Sequence, residues 1–370
     1  GEPSVSMVNV INRRPVRSRA LQDGCTGSRQ DGRMAPPTLT LRPVASSLDE
    51  LLTGAGRRQR FLHSDSKSGS AFERVLIDGE PHVLKHVHVD DDWTMRFGGD
   101  IGCHPVQVWA AGLMDAFPDR IDHGVVGVAS GLGRNGWGGA VLMRDMSAEL
   151  VPAGSDVLSS EQHLTYLDDL AGLSARMLGW RDDVGLMPLA SRWSWFNPAC
   201  LQVEAERGWP DPVPRLAADG WMRFAERAPA AVAAVVDDLR HDPSPLVEAA
   251  LTTPTTFVHG DWKLGNVGTA RDGRTILIDW TYPGEAPPAY ELAWYLSVNR
   301  ERLPQSKEEA IAAFRASLER HGVATQGWYE RQVAVCLLGS VVVFGWEKAL
   351  GDDTELTWWC DRVPEGAACL

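Results

Sequence analysis

Hydrophobic and polar positions follow two different periods along this chain of 370 residues. From about 45 to 146 the period is that of strands. The stretches "RQRFLHS" (58–64) and "AFERVLIDGEPHVLKHVHV" (71–89) alternate short apolar runs with polar turns, as half-buried strands do. In the second, "DGE" (78–80) places Asp78-Gly79 between two such runs, a strong cue for a hairpin. "HPVQVWAAGLMDAF" (104–117) has helical spacing, and "GAVLMRDMS" (139–147) reads as a strand leaving toward a loop. From about 147 onward helices take over. In "EQHLTYLDDLAGLSARMLGW" (161–180), Leu164, Leu167, Ala171, Ser174 and Leu178 recur at three and four, one face of an amphipathic helix. Further helices are predicted near 216–240, 305–320 and 328–350. A strand-rich first part and a helix-rich second part predict an α+β protein of two lobes, 45–143 and 144–370, rather than one mixed sheet.

Composition refines this picture. With 44% hydrophobic and 8% aromatic residues, the chain can bury one large core or two smaller ones. The apolar run "VAVCLLGSVVVFGW" (333–346) is too short to span a bilayer and reads as a buried helix, so no membrane partner is expected. Residues 1–33 hold no Phe, Trp or Tyr and carry six Arg against three acids. Such a segment buries too little to fold alone, and residues 1–44 are predicted to form a disordered basic tail, with Met34 a plausible natural start. The net charge of −13 repels phosphate backbones, which argues against nucleic acid and favours cationic small molecules. Six scattered cysteines without a CxxC pair point to a reducing, cytoplasmic setting.

Candidate chemistry gathers in "HGDWKLGNVGTARDGRTILIDW" (259–280). "TFVHGD" is a short strand ending in a loop, and "NVGTA" and "TILID" are two strands joined at Asp272-Gly273. A two-residue type I′ turn there would pair residue 271 with 274 and Asn266 with Asp279. Opposed side chains share one face with β-carbons about 4.5–5.5 Å apart. An amide oxygen and a carboxylate so placed can hold a hard cation such as Mg²⁺. Asp261, at the mouth of the hairpin, could take a proton from an incoming hydroxyl. In "HVLKHVHV", Val83, Lys85 and Val87 share one face and Leu84, His86 and His88 the other, so Lys85 should face an apolar cleft. An alternative metal site would use His82, His86, His88 and Asp90–Asp92.

The H-G-D-x-x-x-x-N pattern followed by a strand ending in Asp-Trp resembles the aminoglycoside phosphotransferase and choline kinase family, relatives of protein kinases. The resemblance covers about residues 50–350. It implies a protein-kinase-like bilobal fold, with a small β-rich first lobe and a larger helical second lobe. It also implies an ATP-dependent kinase, with GTP an open alternative, that phosphorylates a hydroxyl of a small molecule, aminoglycoside-like or a choline, sugar or amino alcohol. By the same resemblance Asp261 is the catalytic base, Asn266 and Asp279 bind Mg²⁺, His259 organises the loop and Lys263 reaches the γ-phosphate. Lys85 would bind phosphates, Ser68, Gly69 and Ser70 would cover them, and backbone groups around Met143 and Asp145 would meet adenine. A nucleotide-binding regulator without catalysis is the reading from another class. Three departures stand out. Residues 81–148 contain no Glu to pair with Lys85, leaving Asp100 or Asp90–Asp92. Glu291 stands where relatives carry Asp, in a hydrogen-bonding role toward the catalytic loop, and Ser174 where they often carry His. For the acceptor, Asp352, Asp353 and Glu355 suit a polyamine, whereas Trp294, Trp328, Trp346, Trp358 and Trp359 suit a quaternary ammonium.

Overall fold

The computed structural model describes residues 39–61 and 68–370. In the first lobe, β1 (Ala55–Phe61), β2 (Ala71–Ile77) and β3 (Glu80–Val87) form an antiparallel meander. After the short β4 (Ile121–Asp122), β5 (Val125–Ser130) and β6 (Gly139–Arg144) complete a five-stranded sheet in the order β1-β2-β3-β6-β5. The β2–β3 turn forms as predicted. Ile77 pairs with Glu80, and both Asp78 (φ 52°) and Gly79 (φ 84°) adopt the positive φ of a type I′ turn. Residues 39–44, assigned by sequence to the tail, instead lie against the helix His104–Ala110. Arg42 donates its backbone N–H to Ala110 O, pairs with Asp115 and stacks on Trp109. The rest of the predicted tail lies outside the described residues.

The two faces of this sheet are chemically distinct. Leu84 packs with Leu52, Val75, Ala140 and Leu142 in a small core of its own. Val83, Lys85 and Met143 turn the other way and line a cavity, so strand alternation places Lys85 as the sequence predicts.

The second lobe is mainly helical, with two small sheets that carry the chemistry. β7 (Thr256–Val258) pairs with β10 (Gly284–Ala286). Between them, β8 (Val267–Thr269) and β9 (Thr275–Leu277) form a hairpin, with β9 also parallel to β4. The helix Tyr329–Leu350 packs against Pro212–Arg227, Pro288–Asn299 and Asp353–Ala367. It extends beyond the run seen in the sequence and is long and apolar enough to cross a membrane, yet 78% of its apolar window is buried in the protein core.

Two helix predictions need correction. The helix expected over 216–240 is split into Pro212–Arg227 and Ala230–His241, because Pro229 has no N–H to continue the ladder. In Ser160–Arg176, Leu164 and Leu178 just beyond it are exposed, while His163, Tyr166, Leu167 and Leu170 are buried. Leu167, Ala171 and Ser174 are buried as predicted, but the buried stripe is rotated away from Leu164 and Leu178 toward His163 and Tyr166, which hydrogen-bond Tyr295 and Thr269.

Candidate active site

The β7 strand leads into a loop whose backbone is fastened from behind. His259 is fully buried, and its Nδ1 accepts the Asp261 N–H (3.2 Å). Its Nε2–H donates to Ile278 O (2.9 Å), so the ring is the neutral Nε2 tautomer. Burial pushes its pKa down to about 4, consistent with that tautomer. His259 is thus a positioning residue facing away from the cavity. Gly260 adopts φ 86°, and a Cβ there would run into the Tyr282 carbonyl, which is why this position takes glycine.

Glu291 fills the role expected of it. Its two carboxylate oxygens accept the backbone N–H groups of His259 (2.9 Å) and Gly260 (2.6 Å). Burial raises its pKa to about 7 despite these bonds.

Asp261 is the focus of the loop. Its Oδ1 accepts the indole N–H of Trp294 (2.9 Å), and its Oδ2 accepts Lys263 Nζ (2.7 Å) and Asn266 Nδ2 (2.8 Å). Burial raises its pKa above the ordinary carboxylate value, against the pull of Lys263. A carboxylate that is dehydrated, oriented from two sides and readier than usual to take a proton suits a general base.

The β8–β9 hairpin differs from its predicted register by one residue. Val267 pairs with Leu277 and Thr269 with Thr275, so Asn266 stands opposite Ile278, whose N–H bonds its carbonyl (3.0 Å). Only Gly273 has positive φ (82°) at the corner. Ala270 donates its N–H to Arg274 O, and Gly273 donates to Ala270 O, closing a three-residue loop. Asp272 accounts for the change, because its Oδ1 accepts the Arg274 N–H (3.1 Å) and its Oδ2 accepts Arg274 Nε (2.8 Å). Asp279 follows the end of β9 and adopts left-handed φ 66°. Asn266 and Asp279 still line one cavity, together with Asp261, Lys263 and Lys85.

Lys85 Nζ bonds Asp279 Oδ1 (2.7 Å), and Thr281 Oγ1 donates to the same oxygen (2.5 Å). Burial opposes ionisation of Asp279, but Lys85 and Lys263 outweigh it and hold the carboxyl well below its usual range. The acidic partner of Lys85 is therefore Asp279. Asp92 instead caps the helix Trp93–Gly98 and accepts from Ser70 (3.1 Å), and Asp100 accepts the His104 N–H. His82, His86 and His88 have separate local partners in Glu80, Glu73 and Asp90. Among the described residues no group of three or more His, Cys, Asp or Glu could hold a metal.

The remaining site candidates are placed unevenly. Ser68 and Met143 line the cavity, while residues 62–67 lie outside the described residues. Gly69 passes so close to the Asp91 carbonyl that no Cβ would fit. Asp145 is turned aside, its N–H on Pro81 O and its carboxylate on Ser147. At that strand end Met146 and Ser147 line the cavity.

Three contributors escaped the sequence reading. The sequence places Trp294 only in the pocket, yet its N–H orients the Asp261 carboxylate. Asn299 Oδ1 accepts the Leu264 N–H (2.9 Å) and so fixes the far end of the loop. Arg192 is fully buried beneath the loop, where Cβ atoms on Gly260 and Gly284 would meet its Nη1 and Nη2, and it lies over the Tyr290 ring at 5.1 Å. Helical spacing could have linked Trp294 and Asn299 to Glu291, whereas no local pattern marks Arg192.

Fold and site together define a phosphotransferase of the kinase type. Residues 122–330 match the family model described as the phosphotransferase enzyme family, APH. That span exceeds half of the chain, so the chain belongs to this family and is a small-molecule kinase. Among solved structures it is similar to a microcompartment-associated aminopropanol kinase, at 12% identity and a TM-score of 0.48 over 84% of this chain and 90% of that one. Choline kinase LicA from Streptococcus pneumoniae is similar at 11% identity and a TM-score of 0.42, covering 87% and 96%. A spectinomycin phosphotransferase in complex with ADP and spectinomycin gives 12%, 0.41, 83% and 88%. No curated protein matches.

Proposed function

We propose that the protein moves the γ-phosphate of ATP to a hydroxyl of a small molecule, with Asp261 as general base. The observation that carries this reading is the Asp261 carboxylate, buried and oriented by Trp294, Asn266 and Lys263 in the same cavity as the Lys85–Asp279 pair. The hydroxyl would bond Asp261 and lose its proton there as the oxygen attacks. Lys263, already on the base, reaches toward the phosphate being transferred, and Lys85 offers its ammonium to the other phosphates. Adenine would lie along the apolar wall of Val83, Met143 and Met146.

The donor set suits Mg²⁺. Asn266 commits its amide nitrogen to Asp261, which leaves its oxygen for a cation, and the ionised Asp279 already attracts one in Lys85. Mg²⁺ held by these oxygens would offset charge on the phosphates.

Asp261→Asn should lower phosphoryl transfer by about 10³-fold while ATP still raises the melting temperature. Turnover at the wild-type rate would remove Asp261 from the mechanism. ATP-dependent stabilisation of the wild type without transfer to any acceptor, or to water, would favour the regulator instead. Running ATP and GTP side by side fixes the donor.

A further inference from the structure

We infer that the acceptor is a net-uncharged alcohol with an apolar, ring-bearing body, an inference that rests on the phosphotransfer reading above. Two properties of the cavity lead there.

The first is its wall. The cavity has a volume of about 480 Å³ and runs from the first-lobe sheet past Asp261 into the helical lobe. Beyond the base it is built from aromatic rings. Trp294, bonded to Asp261, packs edge-on against Trp195 (6.0 Å) and Phe344 (4.8 Å), and Phe196 lies against Trp346 (5.1 Å). These rings come from three separate segments of chain and are linked to one another, since Trp195 also meets Phe196 edge-on (6.2 Å). Such walls reward apolar surface, about 25 cal/mol for each Å² removed from water.

The second is charge. Three carboxylates line the whole cavity, and each already holds a cation. Asp261 holds Lys263 (2.7 Å), Asp279 holds Lys85 (2.7 Å), and Glu347 holds Lys348 (2.9 Å) and Arg300 (3.2 Å). An acceptor with several ammonium groups would find every acid paired, and the ring faces would return only part of the hydration that each group gives up. The acids that sequence offered to a polyamine are also committed. Asp352 caps the helix Asp353–Ala367, Asp353 pairs with Arg227, and Glu355 sits between Lys307 and Lys348. The overall acidity of the chain therefore does not carry into the pocket. Of the five tryptophans weighed for a cation box, Trp294 and Trp346 line the cavity. Trp328 and Trp358 instead donate to Ala324 O and Glu308, and Trp359 to Glu355.

The test offers kanamycin, choline, glucose, 2-phenylethanol and menthol with MgATP, reading phosphorylated product by mass spectrometry and binding to the ADP-loaded enzyme by tryptophan fluorescence. The apolar alcohols should exceed kanamycin and choline in kcat/KM by at least about tenfold. Their affinity should stay level between about 0.02 and 0.3 M salt, where that of a polycation falls. Trp346→Ala should raise the acceptor KM about tenfold with the ATP KM unmoved, and Trp346→Phe should restore most of it. Preference for kanamycin, choline or glucose, or failure of both apolar alcohols to bind, overturns the inference. Absence of both transfer and ATP hydrolysis would count against the phosphotransfer reading instead, and the binding data would still decide the acceptor class.

Discussion

Two Asp-Gly corners in this molecule carry the same dipeptide and make different turns. At Asp78-Gly79 both residues take positive φ, and the flanking strands close directly on Ile77 and Glu80. At Asp272-Gly273 only the glycine does so, and the loop takes in Arg271 as well, so that Ala270 faces Arg274. The difference lies in one side chain. Asp272 accepts the Arg274 N–H, whereas Asp78 and Gly79 both take the positive φ of a two-residue turn. A dipeptide thus marks where a chain turns, while the local acceptor decides how many residues the turn consumes. That count matters, because one residue of slip moves every side chain of a strand to the other face. Here the slip sets Asn266 opposite Ile278, and the left-handed backbone at Asp279 accompanies the return of its carboxylate to the cavity.

The sharpest test acts on that carboxylate. Asp279→Asn should keep the hairpin and the bond from Thr281 but remove the charge that Lys85 meets, lowering kcat/KM by about 10²–10³-fold. A loss of less than about threefold would show that the hairpin serves only structure. Next come the glycines. No atom lies within 4 Å of a Cβ added at either Gly79 or Gly273, so Gly79→Ala and Gly273→Ala should each cost about 1 kcal/mol from backbone strain alone, measured by urea unfolding. Asp78→Gly should change stability by less than about 0.5 kcal/mol, because relief of positive φ offsets the added chain entropy. Asp272→Gly gains no such relief and loses the Arg274 bond, and should cost about 1 kcal/mol. Equal effects at the two positions would refute the distinction between the corners. The smallest effect belongs to deletion of Arg271. It leaves Ala270 facing Arg274 across a two-residue turn, so activity should stay within about threefold of wild type.

Glu291 adds a pH test. Its pKa in the fold, about 7, lies above the ordinary value of 4.5. Between those values the folded chain holds the extra proton, so this group removes stability as pH rises from about 4.5 to 7. Glu291→Gln should flatten that part of the pH–stability curve, and an unchanged slope would assign it to other groups.

How far the sequence could be read follows from the range of the interactions. The β2–β3 hairpin and the cavity face of Lys85 follow from strand alternation over a few residues. The loop from His259 to Asn266 is marked by its motif spacing, although Glu291, Trp294 and Asn299 fasten it from more than thirty positions away. The partner of Lys85 lies 194 positions away, so a search among nearby acids could not find it. Arg192 lies buried against Gly260 and Gly284, and no periodic signature marks it. The two short helices in place of one over 216–240 were legible in Pro229. The rotated stripe of Ser160–Arg176 was not, because His163 and Tyr166 are polar residues whose burial depends on Tyr295 and Thr269.

The contact between Lys85 and Asp279 has a thermodynamic consequence. Because the lysine is paired with Asp279, a phosphate that takes the lysine trades one ion pair for another instead of making a new one. Attraction between lysine and phosphate is then partly cancelled by what is given up, and the net gain shrinks to the difference between the two bonds. Removing the competing carboxylate should therefore tighten metal-free nucleotide, while the same change weakens nucleotide in the presence of Mg²⁺.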